Sequence, residues 1–90
     1  MSQHTVTVRI LDREYQFAAT DEERTSLLAA ADYLDTLMRK IKGANSALSP
    51  EKVSIMAALN ISHEMMQMRD AQGKIRHMQT SLEKMLQQIA

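Results

Sequence analysis

The chain has 90 residues, and its eleven basic and eleven acidic side chains give a formal net charge of zero at neutral pH. With two tyrosines, one phenylalanine and no tryptophan, it has neither the charge nor the stacking surface that nucleic-acid binding requires. It has no cysteine, no apolar run approaching ~18 residues and no signal-peptide pattern. We therefore expect a cytoplasmic protein without disulfides or membrane insertion.

The N-terminal segment has the pattern of a β-hairpin. Residues 5–11 alternate between apolar and polar side chains and are rich in β-branched residues, which is typical of a half-buried strand. The same two-residue period returns over residues 15–19. We predict strands at about 5–11 and 15–19, with residues 12–14 forming the connection between them.

The first helix has signals at both ends. Thr20 and Glu23 have the spacing of a capping box, and apolar residues then recur at intervals of three and four, as on the buried face of a helix. Basic residues occupy the last turn up to Lys42, and Gly43 can supply a left-handed stop. We predict a helix over about residues 21–42.

A second helix is predicted to begin at Pro50, which suits the first helical position, with Ser49 as its N-cap. From residue 53 to residue 66, nine of fourteen side chains are apolar, and they occupy almost every face of a helix. A helix that is apolar all round is usually buried. We therefore predict that this segment lies inside an α/β head domain formed by residues 1–66.

Beyond residue 66 the apolar positions narrow to a stripe with a seven-residue repeat. We call it the α2 stripe, because it lies on the second predicted helix, α2, which runs from residue 50. It consists of Met68, Ala71, Ile75, Met78, Leu82, Met85, Leu86 and Ile89. A seven-residue apolar repeat predicts a coiled coil, and the extra apolar position at Leu86 favours more than two helices. We predict that residues 67–90 form a stalk that self-associates, giving dimers and tetramers.

The sequence contains no recognisable catalytic arrangement. His63 and Glu64 match the start of the helical zinc-peptidase motif, but Gln67 stands where the second histidine ligand is required. No nucleophile is paired with a base, and no glycine-rich phosphate loop is present. We predict a non-catalytic protein that uses no metal and no cofactor.

Three charged residues lie at the ends of predicted elements. Arg13 is placed at the hairpin tip, Lys42 at the end of the first helix and Glu51 at the start of the second. On their own, such charges are more typical of solvated surface than of a binding face for a partner. Both interpretations stay open on the residues alone.

One run of the second predicted helix is more characteristic of a particular protein family than the heptad repeat is. It reads Met56-Ala57-Ala58-Leu59-Asn60-Ile61-Ser62. Together with the helix start at Pro50-Glu51-Lys52, it resembles the ZapA family of bacterial cell-division proteins. The resemblance extends over essentially the whole chain. It includes the segments Ile10-Leu11-Asp12-Arg13, Asp21-Glu22-Glu23-Arg24 and Met85-Leu86-Gln87-Gln88.

The resemblance implies an α+β fold, with a small hairpin-and-helix head and a long C-terminal helix. It implies that heads pair into dimers and that two dimers join tail to tail through an antiparallel four-helix bundle. It further implies binding to FtsZ, the tubulin-like GTPase polymer, and cross-linking of protofilaments at midcell, with Arg13, Lys42 and Glu51 matching the charged head residues involved. The alternative is a coiled-coil binding module for another cytoplasmic protein.

Overall fold

The computed structural model describes residues 2–89, and the side chains of residues 2–88. Its elements in chain order are β1 (His4–Ile10), β2 (Arg13–Ala19), α1 (Asp21–Ala44) and α2 (Pro50–Ile89). A hairpin followed by two helices, the second of 40 residues, confirms the predicted α+β class. Over the described residues, neither helix combines the length and the apolar character needed to cross a membrane.

The chain consists of two compact units. The first ends at Ala58 and contains the hairpin, α1 and the first turns of α2, and the second begins at Leu59. The boundary predicted from sequence, with a head over 1–66 and a stalk over 67–90, stays a prediction. The first and last residues of these predicted ranges, Met1 and Ala90, lie outside the described part of the chain.

The hairpin turn is shorter than the sequence indicates. β1 and β2 are antiparallel, and Ile10 pairs with Arg13, so that Leu11 and Asp12 alone form the turn. Both turn residues have a positive φ, 49° and 65°. This is the conformation that lets a two-residue connection match the twist of the flanking strands. The predicted connection through residues 12–14 is therefore wrong.

The first part of the core lies between the sheet and α1. Val6 and Val8 of β1 are buried against Ala31 of α1, as the strand alternation predicts. Tyr15 and Phe17 of β2 lie opposite these valines and so share their face of the sheet. They stay 43% and 48% exposed, because α1 covers mainly β1.

The start of α1 is as predicted, but its end is not. The N–H of Glu23 donates to Thr20 Oγ1 (3.2 Å) and the N–H of Thr20 donates to Glu23 Oε1 (3.1 Å), which forms a complete capping box. The helix continues to Ala44 and is capped by Asn45, whose backbone is extended. Gly43 lies inside the helix without a positive φ, so the predicted left-handed stop is wrong.

The second part of the core joins α1 to the start of α2. As predicted, Ser49 caps this helix, accepting a hydrogen bond from the N–H of Lys52 at 3.2 Å. Val53 and Ala57 follow on one face and are fully buried against Met38 of α1. This packing places the N-terminus of α2 beside the hairpin tip, because Ile10 and Leu11 contact the same cluster.

Most of the apolar segment 53–66 is uncovered. In this segment only Val53 and Ala57 are buried. Large apolar side chains that stay between 41% and 65% exposed are Ile55, Met56, Leu59, Met65 and Met66. The predicted burial of the whole segment is therefore wrong for the single chain, whose α1 and hairpin contact only one face of the helix.

Candidate functional site at the hairpin tip

The hairpin turn is bonded to α1 by a carboxylate and a guanidinium. The N–H of Leu11 donates to Asp35 Oδ1 at 2.8 Å, and Arg39 Nη2 donates to Asp12 Oδ1 at 2.9 Å. Arg39 Nε also donates to Asp35 Oδ2 at 3.0 Å, which links the two α1 residues. We call Asp35 and Arg39 the turn clamp, because together they bond both residues of the turn.

The turn clamp acts on a strained backbone. A positive φ costs roughly 1–2 kcal/mol for a residue with a Cβ, and Leu11 has none of the local hydrogen bonding that helps Asn or Asp adopt it. In return, the Leu11 side chain packs against the cluster around Met38 and Val53. Burial of this side chain and the bond to Asp35 therefore offset the strain.

The electrostatics of the turn clamp favour its charged form. The pKa of Asp35 lies below its ordinary value, first because the Leu11 N–H donates to the carboxylate and then because Arg39 does. The pKa of Arg39 is raised by its hydrogen bonds to Asp12 and then to Asp35. The Asp35 side chain is 23% exposed, whereas that of Arg39 is 50% exposed. Both groups are therefore ionised at neutral pH.

A cavity of about 230 Å³ lies beside the turn, within the first unit. We call it the hairpin-tip cavity, and it is lined by Ile10, Leu11, Arg13, Tyr15, Met38, Pro50, Glu51 and Ser54. Arg13 comes from β2 and Glu51 from the first turn of α2, so the fold brings two of the predicted binding residues to one cavity. Among residues 2–89, neither side chain forms a hydrogen bond or an ion pair. This leaves two opposite, unpaired charges beside a cavity whose lining is partly apolar and partly polar.

Lys42 lies nearby but is already bonded. Its Nζ donates to the backbone carbonyl of Leu48 at 2.8 Å, and its side chain is half-buried. It lines a neighbouring depression of about 370 Å³ that shares Leu11 and Pro50 with the hairpin-tip cavity. The three charges predicted from sequence are thus grouped around the turn, but Lys42 also holds the connection between α1 and α2.

Sequence reasoning missed Asp12, Asp35 and Arg39 as residues that shape this site. The four-residue spacing of Asp35 and Arg39 on α1 was an available signal, because such pairs are neighbours on a helix. That spacing does not reveal that a strained turn packs against the pair. The missing information was the two-residue turn itself.

The α2 stripe lies on the second unit and is uncovered. Its large described side chains are 56–68% exposed, namely Met68, Ile75, Met78, Leu82, Met85 and Leu86. Ala71 is exposed too, and the side chain of Ile89 lies outside the described residues. A depression of about 530 Å³ along this face is lined by Ile75, Met78, Gln79, Ser81, Leu82 and Met85. The fold of one chain leaves this apolar face in contact with water.

The described side chains form no metal centre. Between residues 2 and 89, no group of three or more histidine, aspartate or glutamate side chains is placed to hold an ion. His63 and Glu64 lie at exposed positions of α2.

Comparisons with a family model and with a curated relative agree on one family. A family model described as cell division protein ZapA matches residues 6–90. A curated protein of Pseudomonas aeruginosa, named cell division protein ZapA, is 44% identical over 71 residues, which are 78% of this chain and 68% of that protein. A solved structure described as an unknown conserved bacterial protein from Pseudomonas aeruginosa PAO1 matches with a TM-score of 0.72 and 34% identity, covering 94% of each chain.

The hairpin-and-two-helix fold and these matches define a cell-division protein. The matched region includes most of the hairpin and all of α1 and α2, so the similarity does not rest on heptads alone. The chain belongs to the ZapA family, which confirms the resemblance seen in the sequence.

Proposed function

We propose that this protein is a non-catalytic cross-linker of FtsZ polymers, acting in the cytoplasm at the midcell division site. The observation that carries the proposal is the uncovered apolar face of α2 in a chain of the ZapA family. A cross-linker needs a surface for self-association and a separate surface for the polymer. The α2 stripe suits the first role, and the charged rim of the hairpin-tip cavity suits the second.

Self-association follows from the energetics of the α2 stripe. Burying a large apolar side chain contributes about 1.5–3 kcal/mol, and in the single chain these side chains are more than half exposed. Ordering a helix costs roughly 1–2 kcal/mol per residue in backbone entropy. Packing the stripes of several chains together supplies the missing burial. We therefore expect tetramers joined through this stripe, as the proposal requires.

A second apolar surface, on the first unit, supports pairing of the heads. Tyr15 and Phe17 lie on the covered face of the sheet yet remain nearly half exposed. Ile55 and Met56 add uncovered apolar side chains near the start of α2. A small domain with this much uncovered apolar surface gains stability by association. We expect dimers to form through these residues and tetramers through the α2 stripe.

The rim of the hairpin-tip cavity is the proposed contact with FtsZ. Arg13 and Glu51 are exposed and unpaired among the described residues, so a partner can bind them without first breaking an internal ion pair. Exposed ion pairs contribute only about 0–1 kcal/mol each and weaken with salt. A single head would therefore bind modestly. Several heads on one particle can raise the avidity about 10²–10⁴-fold, which favours a tetrameric cross-linker.

Co-sedimentation with FtsZ filaments tests the proposal. Wild-type protein should pellet with the filaments, and Arg13→Glu and Glu51→Lys should greatly reduce this while leaving the oligomeric state unchanged. Arg24→Glu is the matched control, since Arg24 is an exposed charge of the same unit that does not line the cavity. Wild-type protein that stays in the supernatant at low salt would contradict the proposal and favour a binding module for another partner.

A further inference from the structure

We propose that Asp35 and Arg39 are positioning residues for polymer binding, because they lock the Leu11–Asp12 turn and thereby fix Arg13 at the hairpin-tip cavity. This inference rests on the proposed function. Neither residue belongs to the set of charges expected to bind the polymer. The role follows from the strained turn, its bonds to α1 and the position of Arg13 directly after it.

The turn does not hold its conformation by local preference. Two-residue turns with positive φ at both positions favour Asn-Gly or Asp-Gly, whereas here the residues are Leu11 and Asp12. A leucine with a positive φ persists only where surrounding structure imposes it. The bonds from Leu11 to Asp35 and from Arg39 to Asp12 are the polar contacts that impose it, at 2.8 Å and 2.9 Å.

The position of Arg13 depends on this turn. Arg13 is the first residue of β2 and pairs with Ile10, and its side chain has no bond of its own within residues 2–89. Side chains of a strand alternate between its two faces, so a one-residue change at the turn would move Arg13 to the opposite face. It would then leave the cavity that it lines with Glu51. The turn clamp thus determines which face of the hairpin presents the charge.

Asp35 exerts this effect from outside the cavity. It does not line the hairpin-tip cavity, and its two oxygens are already bonded to Leu11 and Arg39. Arg39 lines the neighbouring depression and is half exposed, so it could also contact a polymer directly. A useful experiment must therefore separate positioning from direct contact and from general stability.

The experiment compares Asp35→Ala, Asp35→Asn and Arg39→Gln with Arg13→Ala in FtsZ co-sedimentation. Asp35→Ala removes the acceptor for the Leu11 N–H, and we expect binding to fall to the level of Arg13→Ala. Asp35→Asn keeps an oxygen that can accept this bond and should retain more binding. Circular dichroism and light scattering should show an unchanged fold and oligomeric state. Hydrogen exchange of the Leu11 amide should become faster in Asp35→Ala but not in Asp35→Asn.

Rescue by Asp12→Gly distinguishes positioning from direct contact. Glycine at the second turn position favours positive φ, so it should hold the turn with less help from α1. We expect Asp12→Gly to restore binding towards wild type when added to Asp35→Ala or to Arg39→Gln. The Arg39 side chain is half exposed, so we expect Arg39→Gln to fold. If Asp35→Ala does not fold, the comparison of Arg39→Gln with and without Asp12→Gly therefore still decides the test.

Two results would overturn the inference. The first is that Asp35→Ala binds as wild type while Arg13→Ala binds weakly. If Asp35→Ala does not fold, wild-type binding by Arg39→Gln counts as the same result. The second is a loss of binding in Arg39→Gln that Asp12→Gly does not restore, which would assign Arg39 to direct contact. Wild-type binding by Arg13→Ala would overturn the proposed site itself and the positioning role with it, so the two failures are distinguishable.

Discussion

At the scale of single residues, the charges around the hairpin tip divide into those with an internal partner and those without one. Arg39 is bonded to Asp12 and Asp35, and Lys42 is bonded to the carbonyl of Leu48. Arg13 and Glu51 have no such bonds within residues 2–89. Substitution of the first group should therefore lower the free energy of unfolding as well as any binding, whereas substitution of Arg13 or Glu51 should change binding alone.

Charge reversal at Lys42 tests this division. Lys42→Glu removes a hydrogen bond from a charged donor to a partly buried carbonyl, so we expect the free energy of unfolding to fall by about 1–3 kcal/mol. Arg13→Glu should leave it within about 0.5 kcal/mol of wild type, as surface substitutions usually do. Urea unfolding at one fixed protein concentration measures both. Equal stability of Lys42→Glu and Arg13→Glu would show that the bond to Leu48 is unimportant.

The lowered pKa of Asp35 predicts a loss of stability in acid. The folded-state pKa lies below the ordinary value because Leu11 and Arg39 donate to the carboxylate. Its contribution is therefore fully present above about pH 4, the ordinary range for aspartate, and is lost as the pH falls through the lowered folded-state value. As the pH is lowered through this range, the free energy of unfolding should fall less steeply for Asp35→Asn than for wild type. An unchanged slope, matching that of the control Asp32→Asn, would contradict this prediction.

At the scale of the elements, helix starts were predictable and the turn was not. The signals for the starts are local, since Thr20 and Ser49 cap the helices that follow them through bonds three residues apart. The two-residue turn depends on contacts with a helix 24 residues away, which no local pattern reveals. Gly43 was misleading as a stop signal, because its backbone continues the helix, which ends at Ala44 and is capped by Asn45.

The capping box supplies a prediction about α1. Thr20→Ala removes the side chain that accepts a hydrogen bond from the N–H of Glu23, and we expect a loss of about 0.5–2 kcal/mol in the free energy of unfolding. Ser26→Ala, at an exposed position later in the same helix, is the control and should have little effect. Denaturant unfolding followed by circular dichroism makes the comparison. Equal midpoints for the two variants would argue against a stabilising cap.

For the candidate site, the sequence predicted which charges to consider but not how they are grouped. Arg13 and Glu51 were selected because they lie at the ends of elements, and their common cavity depends on the turn and on the packing of α2. The bonded state of Lys42 depends on the path of the connection after α1, which local patterns do not determine. For the apolar segment 53–66 the sequence pattern predicted more burial than a single chain provides, since most of its large apolar side chains stay exposed.

At the scale of the whole molecule, the uncovered apolar surfaces of the two units predict association of several chains. The first unit exposes Tyr15 and Phe17, and the second exposes the α2 stripe. If the two surfaces form separate interfaces, then disruption of the stripe should release dimers whose heads remain folded. We propose that cross-linking of FtsZ filaments requires the interface formed by this stripe.

A charge within the α2 stripe tests this claim most directly. Leu82→Glu would bury an unpaired ion in the proposed tetramer, at a cost of several kcal/mol, whereas Gln87→Glu places the same charge at an exposed position outside the stripe. Light scattering should then show dimers for Leu82→Glu and tetramers for wild type and the control.

The decisive measurement is electron microscopy of FtsZ filaments mixed with these three proteins. We expect bundles with wild type and with Gln87→Glu, and single filaments with Leu82→Glu, which should still bind at low salt through its heads. A Leu82→Glu protein that is dimeric by light scattering and yet bundles filaments as well as wild type would contradict the claim.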